Sequence, residues 1–241
     1  KYLCFPHLSE HPHLQHAIFT RQGGTSPSPY DSLNLSYDVG DLDSHVNDNW
    51  HKIKEALPFT QIHSSRQVHG TAIRHITAEN PREMPPCDAM ITNTPGAALA
   101  IKHADCQAAI IYDPIQQALG ALHAGWQGNM GGIYQATIAA MQKQFGSQPQ
   151  DLLVGVAPSI GPQAYEFTGY RQHIPQKFWQ FQTEDHYFDF WSITRKQLQE
   201  AGILKQHIIL AEICTFQNGD DYFSYRRDPV SGRNVTVAGL L

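Results

Sequence analysis

Long apolar runs are missing from this chain. No stretch approaches the roughly 20 residues needed to cross a bilayer as a helix, and the opening Lys-Tyr-Leu-Cys-Phe-Pro has no apolar core of a secretion signal. No membrane partner is expected. Basic clusters are missing too. The formal net charge is -5 and the 17 Lys and Arg are scattered. This argues against nucleic-acid binding, whose affinity rests on neutralising many phosphates together. A small anionic substrate needs only one local arginine and stays open.

Paired cysteine motifs are also lacking. Cys4, Cys87, Cys106 and Cys214 form no CxxC pair, and a chain of 241 residues can bury enough core to fold without disulfides. A reduced, cytoplasmic protein is the expectation. No GxGxxG or GxxxxGKS follows a strand, which sets aside dinucleotide and P-loop folds. Neither a short repeat, a Pro- or Gly-rich linker nor a charge block divides the chain. A single domain over 1–241 is expected, as a monomer or small homo-oligomer. What is present suits a globular protein: 41% hydrophobic and 16% charged residues, with 14 His.

Hydrophobic periodicity and turn residues predict strands at 16–20, 60–63, 68–76, 89–92, 97–103, 108–112, 118–123, 151–156, 207–211 and 234–241. Helices are predicted at 44–57, with Ser44 as its cap and Pro58 as its stop, and at 133–145, 174–180 and 189–201, the last stopped by Gly202. Segments 79–86 and 125–132 read as loops, and 215–225 as loop with some strand character. This mixture is α/β, of mixed α+β character.

The richest stretch is 102–132, KHADCQAAIIYDPIQQALGALHAGWQGNMGG. His103, Asp105 and Cys106 interrupt an apolar run, and buried polar groups must be paired or bind something. His123 closes the next apolar run at a glycine turn. His69 stands beside Gly70 at a bend, with His63 and His75 close enough in sequence to compete for the same role. Two imidazoles and a thiolate suit a zinc ion with one position open, and copper accepts the same donors. A metal-free nucleophilic pair, Cys106 with His123 or His103 oriented by Asp105, uses the same thiolate. The residues alone leave these alternatives level. Four weaker candidates remain: an anion-binding turn at Arg21, Gly23, Gly24 and Ser26; the Tyr165-Glu166 loop; Trp126 as a stacking platform; and the 224–228 cluster, which an Arg–Asp structural pair explains as well as substrate binding does.

Seven words run in order through nearly the whole chain: GGTSPSPYDSLNLSYDVGD (23–41), RQVHG (66–70), CDAMITNTPGAALAIKHADC (87–106), HAGWQG (123–128), SIGPQAYEF (159–167), CTF (214–216) and FSYRRDPVSGR (223–233). In that combination the sequence resembles the YfiH-type proteins, also called the laccase-domain or multicopper polyphenol oxidoreductase family. The resemblance implies a single layered domain with mixed β-sheets flanked by helices. It implies zinc held by His69, Cys106 and His123, and so chooses His69 over His63 and His75. It further implies a purine nucleoside phosphorylase that takes adenosine or inosine with phosphate and yields base and ribose 1-phosphate, with an adenosine deaminase side activity. Asp105 belongs to the expected catalytic set, and Arg66, His103, Trp126, Gln127, Arg226 and Arg227 to the expected substrate-binding set.

Three departures from the family pattern stand out. Gln127 follows HAGW where the family has arginine, Gln163-Ala164 replaces a cysteine pair, and Lys102-His103 replaces Arg-Thr. Gln127 has no charge to offer phosphate, so Arg66, Arg226, Arg227 or another cation must serve. His103 would either perturb Cys106 or give the metal an additional ligand. The older family label implies a copper-dependent polyphenol oxidase, and a non-enzymatic metal- or nucleoside-binding protein is the alternative outside enzymes.

Overall fold

The computed structural model describes residues 1–59, 61–79 and 85–241. In chain order the strands are β1 Tyr2–Leu3, β2 Leu14–Phe19, β3 Gln61–Ser64, β4 Ile73–His75, β5 Ala89–Thr92, β6 Ala97–His103, β7 Gln107–Asp113, β8 Ala118–Ala124, β9 Leu153–Val156, β10 Gln182–Glu184, β11 Tyr187–Phe188, β12 Ile208–Leu210 and β13 Asn234–Leu240. The α-helices are α1 Pro6–Ser9, α2 Asp43–Ala56, α3 Trp126–Met130, α4 Ile133–Phe145, α5 Tyr170–His173 and α6 Phe190–Glu200. Two mixed sheets carry the fold, ordered β1-β2-β13-β6-β3 and β12-β9-β7-β8-β5-β4, and β10 and β11 form a separate hairpin.

The central strands are apolar without interruption because both of their faces are covered. Along β7, Ala108, Ile110 and Tyr112 pack into a core shared with Leu99 and Ile101 of β6 and Leu240 of β13. That core lies between the two sheets. The alternate residues Ala109 and Ile111 pack on the other face against Ile133, Tyr134, Ile138 and Met141 of α4 and Leu198 of α6. On the far side of the first sheet, Ala98, Ala100, Val235 and Val237 meet Ile53 of α2. The layers therefore run helix, sheet, sheet, helices. The period-2 switch of each side chain between two apolar cores places the hydrophobic runs.

The expected strands and helices appear, with corrections at their ends. Helix α2 starts at Asp43 with Leu42 as N-cap and no side-chain cap bond, so Ser44 lies inside it. The Asp41 carboxylate instead takes the Leu42 amide. The strand expected at 68–76 shrinks to β4 because the amides of Val68, His69 and Gly70 go to the Asp88 side chain rather than to a ladder. The 125–132 loop contains α3, closed by the Asn129 amide on the Gly125 carbonyl. At 174–180 the helix is a 3-10 turn, Gln176–Phe181, after α5. Segment 215–225 has no strand; the Arg227 guanidinium gathers the carbonyls of Thr215, Phe216 and Tyr222 and holds it as a loop. Of the readings at 60–63 and 79–86, residues 60 and 80–84 lie outside the described residues.

One buried histidine makes the fold sensitive to acid. His16 on β2 accepts the Phe5 amide through Nε2 at 2.8 Å, a bond only the neutral ring can make. Burial, with His7 adding to it, pulls His16 from the ordinary 6.5 down to about 4. The unfolded chain therefore takes up this proton first. The contribution is complete above about pH 6.5 and lost as pH falls towards about 4. Its size is about 3 kcal/mol. In urea titrations at pH 7.5 and 4.5, His16→Gln should show a clearly smaller loss of stability on acidification than the parent chain. Equal losses would remove His16 as the cause.

Candidate active site

Strand pairing brings Cys106, His123 and Asp88 to one sheet edge. In the β7–β8 ladder Ala108 sits opposite His123 and Gln107 opposite Ala124, which brings Cys106, one residue ahead of β7, to the same sheet edge as His123. In the β5–β8 ladder Ala89 faces Leu122, so Asp88, one residue ahead of β5, reaches that edge too. The His123 amide donates to the Asp88 carbonyl at 2.7 Å.

Asp88, fully buried, then organises the remainder. Its carboxylate accepts the amides of Val68, His69 and Gly70 at 3.1, 2.9 and 2.9 Å. It also holds His123 Nδ1 at 2.9 Å. The loop needs this grip, since His69 has φ 60, and a left-handed residue costs about 1–2 kcal/mol. Bonds to a charged acceptor contribute about 1.5–3 kcal/mol each, so three of them outweigh that cost. Burial works against the Asp88 charge, but the His123 bond and the loop amides hold it below the ordinary carboxylate range. With Nδ1 taken, His123 presents Nε2 to the site, the arrangement by which a carboxylate fixes the tautomer of a metal-binding imidazole.

His69, Cys106 and His123 converge. One donor atom from each lies within 4.8 Å of the others, and Cys106 Sγ is 3.9 Å from His69 Nε2. The rings of His69 and His123 meet edge to face with centroids 4.9 Å apart. Burial opposes the Cys106 thiolate, yet His123 and His69 together bring the thiol down to about 6. Two oriented imidazoles and a thiolate charged at neutral pH fit a tetrahedral, borderline-soft ion such as zinc, with a position left for water or substrate. Gly125 is required here: a Cβ on it would stand 2.5 Å from His69 Cδ2 and 3.2 Å from Cys106 Sγ.

A cavity of about 340 Å³ opens over His69 and Cys106, with His123 buried behind them. Trp126, Tyr165, Phe167 and Tyr225 give it aromatic walls, and Gln127 and Arg226 also line it. Arg226 donates to the carbonyls of Ala164 and Glu166 at 3.3 and 2.9 Å, with its guanidinium carbon 5.9 Å from the Tyr165 ring centre. Burial raises the Tyr165 hydroxyl above its ordinary range, so it stays protonated and can donate.

Other expected site residues lie differently. The Asp105 carboxylate lines the cavity but accepts the Thr215 hydroxyl at 2.7 Å and the Arg226 amide at 2.6 Å. It ties two loops together, and its bonds are not to Cys106 or His123. His103 is outside the converging donor set. Its Nε2 pairs with the Thr236 hydroxyl at 3.0 Å, and burial, with His123 adding to it, lowers it to about 3. Arg227 is paired with Asp228 at 2.9 Å and is spent on loop carbonyls, the structural reading of the 224–228 cluster. Arg66 lines a different cavity. In the 21–26 turn, Arg21 meets Asp31 and Ser26 meets Asp41.

Two site residues were not singled out in the sequence, Asp88 and Phe167; Tyr225 entered only as a member of the 224–228 cluster. Asp88 had a signal, a carboxylate immediately ahead of the apolar strand 89–92. Phe167 had none beyond lying two residues from Tyr165.

The family model described as "Multi-copper polyphenol oxidoreductase laccase" matches residues 15–241. The purine nucleoside phosphorylase YfiH of Escherichia coli is 32% identical over 234 residues, 92% of each chain. A purine nucleoside phosphorylase of Deinococcus radiodurans is 34% identical over 238 residues, 94% of this chain and 89% of the relative. The crystal structure of the hypothetical protein YfiH of Bacillus licheniformis superposes with a TM-score of 0.89 at 26% identity, covering 95% of this chain and 93% of that one.

Proposed function

The chain belongs to the multi-copper polyphenol oxidoreductase laccase family, and we propose that within it this protein is a purine nucleoside phosphorylase acting on adenosine or inosine. The observation that carries the reading is the convergence of His69, Cys106 and His123 at an aromatic cavity holding a cation. The names of the relatives support the same activity.

In the proposed reaction a phosphate oxygen bonds to ribose C1′ while the bond from C1′ to the purine nitrogen breaks. The electron pair leaves with the base, which takes up a proton, and ribose 1-phosphate remains. The protein must place an anion beside a developing positive ribose and stabilise the departing base. Trp126, Tyr165, Phe167 and Tyr225 stack on the purine. Tyr165, neutral and donating, hydrogen-bonds the base or ribose. Arg226 draws in the phosphate, since Gln127 brings an amide and no charge. Zinc at His69, Cys106 and His123 would supply a fixed positive charge there.

Arg226→Gln should raise the KM for phosphate roughly tenfold, with the nucleoside KM changing less. Steady-state kinetics with each substrate varied in turn checks this, and an unchanged phosphate KM would move the anion away from Arg226. Deamination of adenosine at the same site is the accompanying proposal, read by ammonia release without phosphate. The family's description keeps a copper oxidase in view. Among the described residues there is one group of three metal donors, whereas oxidation by several coppers needs many more histidines. Oxygen uptake with a phenol by the copper-loaded protein would favour the oxidase. Four free cysteines fit a reducing, cytoplasmic setting.

A further inference from the structure

A second and larger cavity, about 990 Å³, shares no lining residue with the first. It lies beside α2, β3 and the end of β6. Lys54, Arg66 and Lys102 line it, with Asp38 as the one carboxylate among the described residues. Among the described residues none of these three cations has a side-chain hydrogen bond or ion pair. Elsewhere the pattern differs: Arg21, Arg195 and Arg227 each face a carboxylate.

Lys102 is the informative member. Gln67 clamps its backbone from both sides, accepting the amide at 2.9 Å and donating to the carbonyl at 2.7 Å. This clamp holds the backbone of Lys102 in place at the cavity wall. Burial pulls its ammonium below the ordinary lysine range; Asp38 opposes this, and the like charge of Arg233 adds to it. Lys102 is a partly buried ammonium with no ion-paired carboxylate among the described residues, a cost that an anion bound in the cavity would relieve.

The remaining lining narrows the anion. The volume is at the upper end for small-molecule sites and far above what one phosphate fills. Trp50 and His63 offer flat rings. The Trp50 indole is anchored by its N–H on the Leu35 carbonyl at 3.2 Å, and burial lowers His63 so that it is neutral at physiological pH. We propose that this cavity binds a nucleotide carrying two or three phosphates, with Lys54, Arg66 and Lys102 on the phosphate chain and Trp50 and His63 against the base. This site is separate from the proposed active site and does not depend on the phosphorylase reading.

Isothermal titration of the full chain with ATP, ADP, pyrophosphate and inorganic phosphate tests it. ATP and ADP should bind, weakening as salt rises, and pyrophosphate should bind at least tenfold more weakly than ATP. Lys102→Gln and Arg66→Gln, each checked for folding by circular dichroism, should weaken ATP at least tenfold. Lys143→Gln, an exposed charge on α4, should change nothing. Cys106→Ala should keep ATP binding, which separates this cavity from the catalytic one. Absence of ATP and ADP binding, undiminished binding in both cavity variants, or loss of binding in Cys106→Ala would overturn the proposal. Pyrophosphate binding as tight as ATP would overturn its nucleotide part.

Discussion

Cys106→Ala is expected to purify folded, to hold less than about a tenth of the metal bound by the parent protein, and to lose phosphorolysis by roughly a thousandfold or more. Cys106 is the one anionic donor of the three, and its thiolate is favoured by the same two histidines that complete the site. Removing an outer partner of a metal site weakens binding about 10–100-fold, so removing the charged ligand itself should exceed that. Elemental analysis beside an activity assay distinguishes the readings. Loss of both supports a metal site. Loss of activity with metal fully retained would make Cys106 the nucleophile of a cysteine enzyme. Retention of both would remove the site altogether.

Asp88→Asn is the second large effect, and it tests a residue that touches no substrate. The carboxylate receives three successive amides and His123 Nδ1. An amide there keeps one acceptor but turns N–H groups towards donors. Metal affinity should fall about 10–100-fold, because both His69 and His123 lose their orientation. Stability should fall too, by about 3 kcal/mol, from broken charged bonds in a buried place. Chelator competition and urea unfolding of the same preparation read the two effects. Zinc affinity equal to that of the parent would show that Asp88 does not position the ligands.

The sequence displayed the sheets better than the edge where they meet. Strands β5 to β8 were legible because they are covered on both faces, so unbroken apolar runs coincide with strands. The β10–β11 hairpin was not: Gln182, Thr183 and Glu184 are polar and largely unburied, and no alternation marks them. The strand β1 and helix α1 near the start, of two and four residues, are too short to show a period. Donor types at the site could be read locally, as Cys106 and His123 interrupt or end apolar runs. The choice of His69 over His63 and His75 could not, because it depends on the Asp88 carboxylate gathering amides 68–70 from across the chain, a contact without a period. The family resemblance supplied that choice. At Arg227 residue type left a structural pair and substrate binding level, and the side chain is found bonded to Asp228 and to loop carbonyls.

The central claim is phosphate-dependent cleavage at the His69–Cys106–His123 site, and product analysis of inosine incubated with zinc-loaded protein tests it most directly. With phosphate present, hypoxanthine and ribose 1-phosphate should appear in equal amounts; without it, neither should. Inosine left intact under both conditions, or hypoxanthine released equally with and without phosphate, would contradict the account.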